Sequence, residues 1–309
     1  MTTSQTQRSP VTTVRPRRGA RRTETAVTAV TAVVVLVLGV LTVIAFYLPI
    51  ADLQMADSSA AAVAMKSMHM NRMQVFWSFP LLQAAGLAAL VWAYIGIVLG
   101  LMESGAAARW RWLPLTAAQR GRLHRHVSLL VIGLILVHIL STAFDAMGDN
   151  LLTVLVPWQE SWSAAILAYN LGIFAFYLAL LVGPTYYIRR RIGTTRWRII
   201  HRLAVIVYIL SIWHALIIGA DIAYYPWIRP LMWLLQIPLL LLLVRRVLEQ
   251  ARTTTAFAQA TGGSVSSRRT ALVLGTCYAI AAVAALATAA IIAIVATGAS
   301  NTVVTSIQF

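Results

Sequence analysis

Acidic side chains are scarce in this chain: nine Asp and Glu stand against 25 Lys and Arg in 309 residues, and charged residues make up only 11%. A soluble domain carries roughly 25% charged residues, so a freely soluble globular body is excluded. Cysteine occurs once, at Cys277 inside an apolar stretch, so no disulfide can form within the chain. Lysine also occurs once, and the other 24 basic residues are arginine, which with the abundant alanine points to a GC-rich bacterial genome. Neither GxGxxG nor GxxxxGK[ST] is found, and the glycine pair at 262–263 belongs to a flexible TGGS linker. The loop expected over Arg245–Arg269 is too short for a nucleotide-binding fold, which takes on the order of 100 residues. No flavin or nicotinamide site is expected in this chain.

What the chain has in quantity is hydrophobic sequence, 60% of the total. Seven windows have the length needed to cross a hydrocarbon core of ~30 Å as helices. They are Thr25–Ile50, Gln74–Met102, His124–Phe144, Trp162–Ile188, Ile200–Ala220, Tyr225–Val244 and Thr270–Thr297. The expected fold is therefore an all-α polytopic membrane protein. The first window is too long for a signal-peptide core and reads as a retained helix.

The basic residues give its orientation. With the N-terminus inside, 20 of the 25 fall in the N-terminal tail and the loops Glu103–Leu123, Arg189–Arg198 and Arg245–Arg269, and Arg125 and Arg202 sit at the cytoplasmic starts of the third and fifth spans, leaving only Lys66, Arg72 and Arg229 outside. By the positive-inside rule the N-terminus is cytoplasmic and the C-terminus extracytoplasmic, in a multi-pass protein of a bacterial plasma membrane. The net charge of +16 is thus a topology signal and not a nucleic-acid patch. Four segments follow: a disordered basic tail (1–24), a first helix with an extracytoplasmic segment (25–73), a core (74–245), and a loop with a seventh helix and outer tail (246–309). Trp158, Trp162, Tyr224, Tyr225 and Trp227 read as the outer aromatic belt.

The chemistry lies in the histidines. The third span carries His124 and, fourteen residues on, His138; the fifth carries His201 and, thirteen residues on, His214. Both spans run outward, so the first histidines share an inner level and the second an outer level, about 20 Å apart at 1.5 Å per residue. Ionisable groups inside a membrane are costly and mark function by default. A single one is ambiguous between a polar contact, a proton relay and a ligand, but two level-matched pairs between facing helices are what bis-histidine haem ligation requires. The lack of CxxCH excludes covalent attachment. A 14-residue step returns to within about 40° of its starting face, whereas the 12 residues from His126 to His138 miss by about 120°, so His126 reads as a polar interfacial residue facing the cytoplasm or headgroups. The 13-residue step misses by about 140°, which calls for local unwinding or a π-bulge near His201.

These spacings, with LHRH at 123–126 and RRRIGTTRWRIIHRLAVIVYILSIWHALIIGAD at 189–221, resemble the ferric reductase-like transmembrane domain. That family includes ferric reductases, NADPH oxidases and the haem-binding membrane subunit of bacterial methionine sulfoxide reductase systems. The resemblance spans helices 2 to 6. It implies two b-type haems on His124, His138, His201 and His214, in a haem-binding helix bundle passing electrons from the cytoplasmic to the outer face. Members that work alone append a flavin and nicotinamide domain after helix 6, where this chain has a short loop and a seventh helix. Its donor is then a separate cytoplasmic reductase or a membrane quinol, and its acceptor ferric iron, oxygen or an extracytoplasmic redox protein.

Smaller features have blander readings. Arg198 and Arg202, and less so Arg122 and Arg125, stand where haem propionates would need cations. The outer segment MKSMHMNRM offers Met68, His69 and Met70 as soft ligands for copper, against the simpler reading of an amphipathic stretch on the bilayer. Asn170 and Gln236 are expected to hydrogen-bond between helices. The competing functional class is a transporter or channel whose histidines relay protons or bind a metal ion without haem.

Overall fold

The computed structural model describes residues 18–56, 77–102, 115–143, 151–159, 164–219 and 227–260. Every element in them is helical: α1 (Arg18–Ala56), α2 (Ser78–Met102), α3 (Ala117–Ala143), α4 (Leu151–Leu155), α5 (Ala164–Ile192), α6 (Thr194–Arg202), α7 (Ala204–Ile218) and α8 (Ile228–Ala260). Six stretches are long and apolar enough to cross a membrane: Glu24–Ala51, Ser78–Met102, Ala117–Ala143, Ile166–Ile192, Thr194–Ile218 and Ile228–Arg246. The protein is a multi-pass helical membrane protein. The window at Thr270–Thr297 lies outside the described residues.

Three boundaries differ from expectation. Helix α1 begins at Arg18, within the stretch read as a disordered tail, because Arg18, Ala20, Arg21 and Arg22 are strong helix formers that extend the helix ahead of its apolar span. Helix α3 starts two turns before His124. Thr116 and Gln119 form a reciprocal capping pair, with the Thr116 amide donating to Gln119 Oε1 at 2.7 Å and the Gln119 amide to Thr116 Oγ1 at 3.3 Å. Helix α8 runs through the boundary drawn at 245/246 and reaches Ala260.

The bundle is organised around α2. Of its apolar window 44% is buried, against 11% for α1, so α2 is the central helix and α1 a peripheral one. One face, with Ala88, Ala89, Trp92 and Leu99, packs on Val35 of α1 and on Val127 and Leu134 of α3. The other, through Leu101 with Leu90, Tyr94 and Ile97, meets Tyr208, Ile212 and Leu216 of α7 and Leu239 of α8. Small side chains permit this: Ala84, Ala85 and Ala88 are fully buried, and in lipid, where apolar surface alone drives little association, close backbone approach supplies the packing. Trp92 Nε1 donates to Thr42 Oγ1 at 3.2 Å, tying α2 to α1. Gln236 Nε2 donates to Tyr208 Oη at 3.2 Å, tying α8 to α7.

Helices α5 and α6 are joined by Gly193 alone, at φ 90° and ψ 141°. An L side chain there is strained, and its cost is about 1–3 kcal/mol. Gly193→Ala is therefore expected to lower the thermal unfolding midpoint of the detergent-solubilised protein, measured by intrinsic fluorescence, while the α-helical circular dichroism of the folded state is unchanged.

Candidate functional site

The sequence from Thr194 to Ile218 builds two helices where one span was expected. At Leu203 the ladder tightens: its amide donates to the Ile200 carbonyl at 3.0 Å, an i to i−3 bond, and α7 restarts from the Leu203 carbonyl, which accepts from Val207 at 3.0 Å. An irregularity is present beside His201, but it overwinds the chain where unwinding or a π-bulge was expected. A 3₁₀ residue turns about 120° where an α residue turns about 100°, so overwinding advances His214 toward the face of His201. The interruption also frees α6 and α7 from a common helical phase.

The result is two pairs of imidazoles. The rings of His124 (α3) and His201 (α6) are 5.9 Å apart at 89° between planes. Those of His138 (α3) and His214 (α7) are 6.2 Å apart at 86°. All four line one cavity of ≈ 1590 Å³ running between α2, α3, α5 and α7. That exceeds the roughly 300–1,000 Å³ of a pocket for one drug-sized ligand.

The His138–His214 pair is held by backbone. A carbonyl only accepts, so His138 Nδ1–H donates to Leu82 O of α2 at 2.6 Å and His214 Nδ1–H to Ala168 O of α5 at 2.9 Å. Each bond fixes the tautomer in which Nε2 carries the lone pair. Four residues beyond each accepting carbonyl stands a glycine. A Cβ at Gly86 would lie 3.0 Å from His138 Nδ1, and one at Gly172 only 2.6 Å from His214 Nδ1. Thus α2 presents Leu82 and Gly86 to His138 as α5 presents Ala168 and Gly172 to His214, a repeated device. On α2 it is continued at Gly100, fourteen residues after Gly86, where a Cβ would stand 3.2 Å from His124 Cε1. Helix α2 runs antiparallel to α3, so the glycine spacing matches the histidine spacing.

The His124–His201 pair is flanked by an aromatic ring, with a guanidinium group close by. Trp197, one turn before His201 on α6, stacks on it at 5.0 Å with 20° between planes. Tyr186, fourteen residues after Gly172 on α5, meets Trp197 edge-on at 6.1 Å. Arg246 of α8 donates to the Gly100 carbonyl at 3.0 Å, beside the glycine that abuts His124.

Other singled-out residues take different places. Arg198 and Arg202 are exposed and do not line the cavity. The reason is helical phase: Trp197 and His201 are four apart on the cavity face, and each arginine is one residue, about 100°, round from it. The arginines that line the cavity are Arg122, Arg125 and Arg189. Arg189 and Tyr186 were not singled out from sequence, being hidden in an arginine run that the topology rule already explained. His126 also lines the cavity, half-buried, with Nε2 buried and unpartnered. Asn170 Oδ1 accepts from the Trp158 amide at 3.0 Å, pinning the segment after α4 to α5. Val154 of α4 lines the end of the cavity beyond His138 and His214. Met68, His69 and Met70 lie outside the described residues, as does Cys277. Among the described residues, no group of three or more His, Cys, Asp or Glu forms a further metal site.

Comparison with protein families, curated proteins and solved structures finds no match to this chain.

The glycine contacts separate two outcomes. Gly172→Ala forces His214 off the Ala168 carbonyl and is expected to destabilise the protein by about 1–3 kcal/mol, the cost of an overpacked or unsatisfied buried group. Gly133→Ala, with nothing within 4 Å of the new methyl, is expected to be neutral or stabilising by up to about 1 kcal/mol. Paired thermal-unfolding curves of the two variants in one detergent measure the contrast.

Proposed function

We propose that the protein is a di-haem b-type membrane cytochrome that passes electrons from a cytoplasmic or quinol donor to an extracytoplasmic acceptor. The observation that carries this reading is the pair of imidazole separations. A metal–imidazole nitrogen bond is about 2.0–2.1 Å, and with about 1.1 Å from ring nitrogen to ring centre, two imidazoles sharing one metal have ring centres about 6.3 Å apart. The 5.9 and 6.2 Å separations suit a single interposed metal atom. A direct imidazole–imidazole hydrogen bond would leave no use for a cavity that passes both pairs.

The donor set supports iron in a tetrapyrrole. Two imidazoles per level, with the lone pair on Nε2 where Nδ1 is fixed, would suit bis-histidine ligation of haem iron. His124 and His201 would hold the inner group and His138 and His214 the outer one. Bound haem supplies one-electron chemistry; the chain's own residues fix the ligand rings, exclude water and set the local charge. This reading assigns the chain to the ferric reductase-like transmembrane family, as an oxidoreductase membrane component. It also takes the seventh span as real, the arginine-rich end as cytoplasmic and the membrane as the bacterial plasma membrane. The acceptor is ferric iron, oxygen or a redox partner protein.

The test is optical. Protein purified after expression with adequate haem supply is expected to give a reduced-minus-oxidised spectrum of bis-histidine b-type haem, with two haems per chain by pyridine haemochrome assay. His138→Ala and His214→Ala should each remove one haem, and His124→Ala and His201→Ala the other. A colourless protein with histidine-dependent proton or metal flux in liposomes would sink the proposal in favour of a transporter.

A further inference from the structure

At the arginine-rich end of the cavity hydrogen-bond donors gather around a single side-chain acceptor, the Tyr186 hydroxyl. Arg125 of α3 aims Nη1 at the Tyr186 hydroxyl at 3.4 Å. The Arg189 guanidinium carbon lies 4.0 Å from the centre of the same ring. Trp197, in edge contact with Tyr186, has its indole Nε1 buried with no hydrogen-bond partner. All four side chains line the cavity. Indole and guanidinium groups donate and never accept, and buried donors in proteins are nearly always matched. Among the described residues the one arginine–carboxylate pair is Arg122 with Glu24, at 3.7 Å, and no described carboxylate pairs with Arg125 or Arg189.

We infer that Arg125, Tyr186, Arg189 and Trp197 form a carboxylate-binding site at the inner end of the cavity, which takes a propionate of the tetrapyrrole held between His124 and His201. The inference rests on the haem reading above and deepens it. Three features support it. The donors are on three different helices, α3, α5 and α6, and converge on one ring. Arginine presents a planar fork that matches a carboxylate in bidentate fashion. The cluster is one aromatic ring away from the inner pair, through the Trp197 stack on His201. Arg198 and Arg202, although closer to His201 in sequence, point away.

The test compares haem with its dipropionate dimethyl ester, which has the same iron and ring without the carboxylates. Full-length protein made without haem is reconstituted with each, and dissociation into excess apomyoglobin is followed by absorbance. In the wild type, one of two kinetic phases is expected to be about ten- to a hundredfold slower for haem than for the ester. Arg125→Gln with Arg189→Gln should speed that phase for haem by the same factor and leave the ester unchanged. If the variant accelerates haem and ester equally, the arginines act on structure or on lipid headgroups and the inference is overturned. It is overturned as well if haem and ester leave the wild type at one rate, although the haem reading then stands. If the wild type takes up neither tetrapyrrole, the haem reading itself fails.

Discussion

The bundle is built around a single constraint: an imidazole set among apolar helices, as His138 and His214 are, needs a partner for its ring nitrogens. At His138 and His214 one partner is a backbone carbonyl of the neighbouring helix, Leu82 or Ala168. In a continuous helix that carbonyl is already engaged with the amide four residues on, and a side chain at that later residue would shield it. Glycine at 86 and 172 removes the shield. The need for close approach then propagates, because helices that touch at the glycines must present small side chains elsewhere along the contact, as α2 does with Ala84, Ala85 and Ala88. The hydrogen bond that satisfies Nδ1 leaves the lone pair of each ring on Nε2.

Much of this was legible in the sequence. The apolar windows and the histidine levels follow from helix rise and period, quantities that hardly vary between proteins. The rest depends on partners that only packing reveals. Glycines fourteen apart on one span carry no meaning until the antiparallel neighbour is known to hold histidines fourteen apart. The break at Leu203 was foreseeable from the 13-residue step, but its sense was not: unwinding was expected, and the chain instead tightens there by about 20° and divides into two helices. The start of α3 was readable, since Thr116-Ala-Ala-Gln119 is a capping box; it was obscured by arginines that made the segment look like loop.

The arginines illustrate the same limit more sharply. Composition explains why they cluster at one end of the bundle and says nothing about which of them turn inward. Arg198 and Arg202 flank His201 closely in sequence yet are set outside by about 100° of helical phase, whereas Arg125 and Arg189 reach the cavity from other helices. Proximity along a helix is a poor guide to proximity in space unless the spacing is three or four residues, and Trp197, four before His201, meets that condition.

The two levels are therefore not equivalent. The outer pair sits among apolar side chains and is oriented by neutral carbonyls; the inner pair sits beside guanidinium groups. A unit charge on the order of 10 Å away is worth roughly 1–2 kcal/mol at an effective dielectric constant of 20. On the proposed electron-transfer reading, two unmatched cations beside His124 and His201 would hold an arriving electron there and oppose its passage onward. A carboxylate seated on Arg125 and Arg189, as inferred above, would cancel most of that field while using the same charges to anchor the group that carries it. On this view the arginine cluster acts as an anchor whose own charge is neutralised by what it holds, and transfer to the outer level proceeds without an electrostatic trap at its start.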